Sequence, residues 1–249
     1  MRSTRTGNPN QLTLPYFLIP ALKLILSFVW LRPSPRPNLA FWREVDSHIP
    51  SMATLHTIYH SGFGHTKLQA QSVHHGASSV NGVQTHLWTV EEAISRINDL
   101  DQTDAMIFGC PTYMGSMSAE MKKFVEATAS KWFTQAWKDK IAGAFTNSSN
   151  FSGDKMNTLF GLVVNAMQHG MIYVSLGMLP TANKPEYLQR IEGPGPDAWN
   201  RSSSSIGAMA SSFGLEPGKA PSVGDLETAE AYGRRISEIT IRWVRAKSV

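Results

Sequence analysis

The chain of 249 residues holds a single cysteine, Cys110. An internal disulfide is thereby excluded, and no Cys/His set has the spacing of a zinc site, so no metal is expected. Nucleotide-binding glycine signatures are missing too. Neither G-x-G-x-x-G nor a Gly-Lys-Ser/Thr loop occurs, which removes a dinucleotide fingerprint and a Walker loop from consideration. An excess of one charge is absent from most of the chain: residues 1–51 carry six Lys/Arg against two Asp/Glu, whereas residues 52–249 carry 17 of each. A neutral domain gives a phosphate backbone little to hold, and no nucleic-acid partner is expected.

A long hydrophobic run is nearly absent as well. The longest, 14–31, follows Arg2 and Arg5 in the manner of a signal anchor, but it contains Pro15, Pro20 and Lys23. Its 18 residues fall short of the ~20 that a membrane span needs. No small-residue cleavage site follows, and the charges do not keep to one helical face as a surface-lying helix would require. Residues 1–51 read as an N-terminal extension, disordered or arising from a mis-assigned start with Met52 as the true beginning. Membrane association through 14–31 is the alternative. The lone cysteine fits a reducing compartment, so a cytoplasmic location is expected.

What is present is a regular alternation. A hydrophobic fraction of 42% suffices for a substantial core. Short apolar runs at 55–59, 85–88, 105–109, 141–146 and 171–174 read as strands. Helical periodicity occupies 67–80, 90–100, 118–130, 156–168 and 228–245, with Leu159, Phe160, Val163 and Met167 expected on the inner face of the fourth helix. The run Ala-Met-Ile-Phe-Gly at 105–109 is apolar throughout, as in a strand covered on both faces. Five strands alternating with five helices predict an α/β domain over residues 52–249, a doubly wound five-stranded parallel sheet with helices on both faces. Ligands of such sheets bind beyond the strands' carboxyl ends, which directs attention to loops 60–66, 110–117 and 147–155. The stretch 175–224 is too long for a plain connection and reads as a cover for the site or a subunit contact.

The first loop, Ser61-Gly62-Phe63-Gly64-His65-Thr66, has the composition of an anion cradle: small residues, hydroxyls and a following helix N-terminus. On residue types alone it is equally a strand-to-helix turn capped by Ser61 or Thr66. The second loop says more. Gly109-Cys110-Pro111-Thr112-Tyr113-Met114-Gly115-Ser116-Met117, continued by Ser118-Ala119-Glu120-Met121-Lys122-Lys123-Phe124, resembles the G-T-P-T-[RY]-[FM]-G-N-M-[SP]-x-x-M-[KR]-x-F stretch of the WrbA-type NAD(P)H:quinone oxidoreductases, which are flavodoxin-like FMN proteins. The runs 59–66, 144–148 and 169–174 resemble the family in order and spacing.

The resemblance implies noncovalent FMN, with NADH or NADPH as electron donor and a quinone-like acceptor. Ser61, Gly62, Phe63, Gly64, His65 and Thr66 would hold the phosphate, Phe63 also lying near the nicotinamide nucleotide. Pro111, Thr112, Tyr113, Met114 and Gly115 would line one side of the flavin, and Asn147, Ser148, Ser149, Asn150, Phe151 and Ser152 the other. His169 would stand near the ring or the quinone as the catalytic residue, and Trp132 beside the substrate. A homodimer or homotetramer is implied. Departures are the 147–153 loop, with one glycine and a bulky Phe151 where the family is Gly/Thr-rich, and Tyr113 in place of a common Arg. An electron carrier that docks a redox protein, and an interaction module that has lost FMN, are the rival readings.

Overall fold

The computed structural model describes residues 52–151, 153–181, 184–187 and 194–247. The expectations for residues 1–51 and for Ser152 fall outside the described residues. Among the described residues no helix is long and apolar enough to cross a membrane.

Strand β1 (Ala53–Tyr59) leads into α1 (His65–Ser78), then β2 (Val83–Thr89) and α2 (Val90–Ser95). Helix α2 starts on a capping box between Thr89 and Glu92. It ends well before the 100 that periodicity suggested, because Asn98 and Asp99 follow and favour turns; a 3-10 turn at Asp99–Gln102 takes over. Next come β3 (Ala105–Tyr113), β4 (Ser116–Met117), α3 (Ala119–Ala127) and α4 (Ala129–Phe133). The expected single helix at 118–130 is interrupted at Thr128, whose hydroxyl bonds back to the Val125 carbonyl at 2.7 Å. Then β5 (Ile141–Ser148), α5 (Lys155–Gln168), β6 (Ile172–Tyr173), β7 (Ala208–Ser211) and α6 (Val223–Lys247) complete the order.

The sheet runs β2-β1-β3-β5-β6, all parallel, with β4 hairpinned onto β3 and β7 beside β5. Its fifth position differs from the expectation of one continuous strand. Residues Ile172 and Tyr173 pair with the beginning of β5, the chain leaves the sheet, and Ala208 to Ser211 return to pair with its end. The long 175–207 excursion is therefore an insertion into an edge strand. Tyr59, Gly109, Phe145 and Ala208 lie level in the sheet, so the chain beyond each of them emerges at one rim.

Strand β3 shows why its sequence is apolar throughout: Ala105 and Ile107 face one core while Met106 and Phe108 face the other. The first core is closed by α1 and α6. These helices approach so closely that a Cβ on Gly76 would fall 1.8 Å from the Glu230 carbonyl oxygen, and one on Gly233 1.9 Å from that of Val73. The second core gathers Phe124, Leu159 and Leu162 from the helices of the other face and Trp137 from the turn before β5. Here the expected inner face of the fourth helix is corrected by one position: Leu159 and Leu162 are buried, whereas Phe160 and Met167 are more than half exposed.

Candidate functional site

A cavity of about 750 Å³ opens at the carboxyl rim. That is a usual size for a small-molecule or cofactor site, about 300–1,000 Å³. Four segments build it.

The first is the β1–α1 loop. Ser61 Oγ accepts from the main-chain N–H groups of Gly64 and Lys67, both at 3.1 Å, and so winds the loop onto the first turn of α1. Gly64 takes φ +93°, a left-handed conformation that a side chain resists. A Cβ on Gly62 would fill the space 2.5 Å from the Tyr113 hydroxyl. The N–H groups of His65 and Thr66 head α1 and have no carbonyl a turn behind them, and the first turn holds no acidic residue. Free donors and a helix dipole together fit a phosphate, while the missing Cβ of Gly62 lets the Tyr113 ring pack against the loop. Ser61 supplies the turn, and of the loop Phe63, His65 and Thr66 line the cavity.

The second segment is the β3–β4 hairpin. Met114 (φ +47°) and Gly115 (φ +83°) form its two-residue turn, with positive φ at both positions as the tight hairpin type requires. The Met114 side chain stands fully in solvent at the cavity edge. Tyr113 meets Phe63 edge to face at 6.0 Å, so the two loops share an aromatic lip. The Thr112 hydroxyl is taken inward: Thr146 gives its proton to the Cys110 carbonyl (2.7 Å), accepts from Thr112 (2.9 Å), and Thr112 accepts from Thr158 (2.8 Å). What Thr112 leaves for a ligand is its methyl and main chain. Cys110, fully buried, has its thiol pushed up to about 12 by burial and is no nucleophile.

The third segment follows β5. Asn147, Ser148 and Ser149 line the cavity. Asn150 and Phe151, expected beside them, do not; the Phe151 ring instead stacks at 6.3 Å on Phe213.

The fourth segment lies within the 175–224 stretch that was expected to cover the site or make a subunit contact. Ser212, Gly214, Leu215, Glu216 and Pro217 close the cavity on the side away from the hairpin. The loop is tied down by Ser212 N–H to the Ser148 carbonyl (2.9 Å), Phe213 N–H to the Ser149 carbonyl (2.8 Å), and His65 Nε2 to the Leu215 carbonyl (2.6 Å). Its sequence signals were the apolar run at 206–210 and the Phe213-Gly214 turn, hidden inside a Gly/Pro/Ser-rich stretch.

Two expected residues lie elsewhere. His169 follows the last turn of α5, which begins at the rim and runs away from it for about 20 Å. Its ring is buried, 4.6 Å from Trp137. Because the Thr128 hydroxyl proton goes to Val125, Thr128 accepts from His169 Nε2 (2.9 Å), and Nδ1 is left without a partner. Burial holds the imidazole below its ordinary pKa. Within one chain His169 is a neutral packing residue and does not reach the cavity, a correction to its expected place near the ring. Trp132, 48% exposed on α4, does not line the cavity either. No group of three metal-ligating side chains occurs among the described residues.

Comparison with known proteins agrees with this geometry. Residues 71–185 match the family model for NADPH-dependent FMN reductase. The chain is 38% identical over 182 residues to flavodoxin FldP of Pseudomonas aeruginosa, covering 73% of this chain and 94% of that protein. It is 31% identical over 208 residues to quinone-oxidoreductase QR2 of Triphysaria versicolor, covering 76% and 96%. Among solved structures, a flavodoxin, WrbA-like protein from Agrobacterium tumefaciens superposes with a TM-score of 0.58 at 36% identity, covering 76% of this chain and 98% of that one. With a cavity at the sheet rim and relatives of this length and identity, the chain belongs to the WrbA-type, flavodoxin-like family of FMN-dependent oxidoreductases.

Proposed function

We propose that the chain catalyses hydride transfer from NADH or NADPH to FMN followed by two-electron reduction of a quinone-like acceptor, in ping-pong order. FMN supplies the redox chemistry, accepting a hydride and releasing two electrons. The residues supply position. Main-chain donors of His65 and Thr66 anchor the phosphate, and Pro111 to Met114 and Asn147 to Ser149, continuing neighbouring strands, line the cavity. The observation that carries the reading is the mouth: Phe63, 75% exposed, and Met114, with Tyr113 between them, offer an apolar seat at the solvent opening. A planar ring stacks on aromatic and thioether surfaces of this kind. No charged side chain of the hairpin guards the entrance, since Tyr113 stands where the family commonly has Arg.

Purified protein should be yellow and should consume NADPH steadily with benzoquinone as acceptor. Colourless protein whose melting temperature is unmoved by excess FMN would refute the flavin reading. The second reading, an electron carrier, is favoured by the relative named a flavodoxin. It predicts reducible FMN with no steady turnover, so the benzoquinone assay separates the two.

A homodimer or homotetramer belongs to the same proposal. Met156, Phe160, Val164 and Met167 form an exposed apolar stripe along α5, the spacing of one helical face. Trp132 can border a substrate only in another copy's cavity. Sedimentation velocity showing a monomer at micromolar concentration would remove this part.

A further inference from the structure

The loop after β5 has a single glycine, Gly153 at φ +56°, beyond the residues that line the cavity, and a buried cation holds the rest. Lys155, the first residue of α5, is completely buried. Its ammonium donates to the carbonyl oxygens of Asn150 and Phe151, the latter at 3.3 Å, and to Ser211 Oγ at 3.3 Å. The Phe151 carbonyl also accepts from the Ser202 and Ser211 hydroxyls at 3.2 and 3.1 Å.

Beside this knot, Arg201 makes a bidentate pair with Asp225, both contacts at 2.8 Å and both side chains buried. The guanidinium lies 5.4 Å from the Phe151 ring and 5.5 Å from that of Phe213. Asp225 also accepts from the Ser211 N–H at 3.0 Å. Two cations and one carboxylate thus join four pieces of chain: the β5 loop, the 175–207 insertion, the end of β7 and the start of α6. Two of those pieces continue directly into cavity walls.

We propose that Lys155 is a positioning residue for flavin binding: by drawing the Asn150 and Phe151 carbonyls inward, it sets the course of the loop whose leading residues, Asn147 to Ser149, form a wall of the site. A buried charged donor does here what glycine-rich backbone does elsewhere. The proposal rests on the FMN reading.

Ionisation of Lys155 gives it a pH signature. Burial lowers its pKa to about 8, Asp225 of α6 opposing the fall and Arg201 of the insertion adding to it, while β7 contributes only the Ser211 hydroxyl. Above that pH the carbonyls lose a charge-assisted donor. Fold stability moves the other way: with the folded pKa below the unfolded one, the unfolded state binds more protons between the two values, so this group makes the fold more stable as pH rises. Weaker flavin binding in that interval cannot then be assigned to unfolding.

The experiment is titration of apoprotein with FMN, followed by quenching of flavin fluorescence, for wild type, Lys155→Met and Lys155→Arg. The wild-type Kd should rise roughly fivefold between about pH 7 and about pH 9. Lys155→Met should weaken binding by about tenfold at neutral pH and flatten the pH profile, while Lys155→Arg recovers part of the affinity. A flat wild-type profile overturns the proposal, as does Lys155→Met binding within about twofold of wild type. If Lys155→Met does not fold, the wild-type profile decides alone. Failure of the wild type to bind FMN at all takes down the flavin reading, and this inference with it.

Discussion

The two walls of the cavity are built by different physics. The wall made of the β1–α1 loop and the β3–β4 hairpin is assembled locally. A hydroxyl bonds three and six residues ahead, a two-residue turn uses positive φ, and a missing Cβ lets Tyr113 pack against the first loop. The wall made of 147–149 and 212–217 is assembled at long range, over an ion cluster whose members Lys155, Arg201 and Asp225 come from distant parts of the chain. Local turns keep their shape with few partners. A wall resting on buried charges is only as good as its weakest pair.

The sharpest way to break the comparison is Asp225→Ala. Two buried cations would lose their counter-charge, at a cost of about 3–5 kcal/mol. For a domain of this size that lowers Tm by about 10 °C; a melt unchanged within error would show that the second wall does not depend on the cluster. Thr112→Trp attacks the first wall instead. Its bulk should reduce FMN affinity by more than about 100-fold with the circular dichroism spectrum unaltered, and stoichiometric FMN in that variant would contradict the site.

Acid tests a region that neither wall includes. His56 is buried in β1, stacked at 4.6 Å on His86 of β2, and burial, His86 and Arg96 lower its pKa from 6.5 to about 4. The unfolded chain takes up a proton first as pH falls through 6.5. Stability present above that value is therefore lost progressively toward about 4, by about 3 kcal/mol in urea melts. His56→Gln should flatten this slope and leave FMN binding unchanged. The smallest effect is Ser61→Ala, which removes a turn cap worth about 1 kcal/mol and should weaken FMN about fivefold. A loss much larger than that would mean the first wall is not self-supporting.

The same division explains what could be read from the sequence. Glycine, hydroxyl and turn residues at 61–66 and 109–117 carry their geometry with them, and the apolar run at 105–109 announces a strand between two cores. Strand β7 is only weakly marked: its four residues, Ala-Met-Ala-Ser, lie in a short apolar run and pair because β5 offers a free edge. The 212–217 wall follows from that pairing, so the sequence could mark 175–224 as a cover for the site without saying which of its residues form the wall. Nothing in the sequence singles out Lys155, whose burial depends on carbonyls and an Asp225 that meet it only in space. His169 was placed by motif similarity, but its position at the far end of α5 is set by helix direction, which a motif does not encode.

The tight crossing of α1 and α6 at Gly76 and Gly233 bears on how the site is held. The helix that follows the first cavity loop, His65–Ser78, is backed by one far along the chain, Val223–Lys247. That contact closes a long loop of chain, whereas the turns of the site close short ones, so the backing of α1 is the slower part to form. A chain stopped short of α6 would carry every cradle residue and still be unable to hold the cradle in shape.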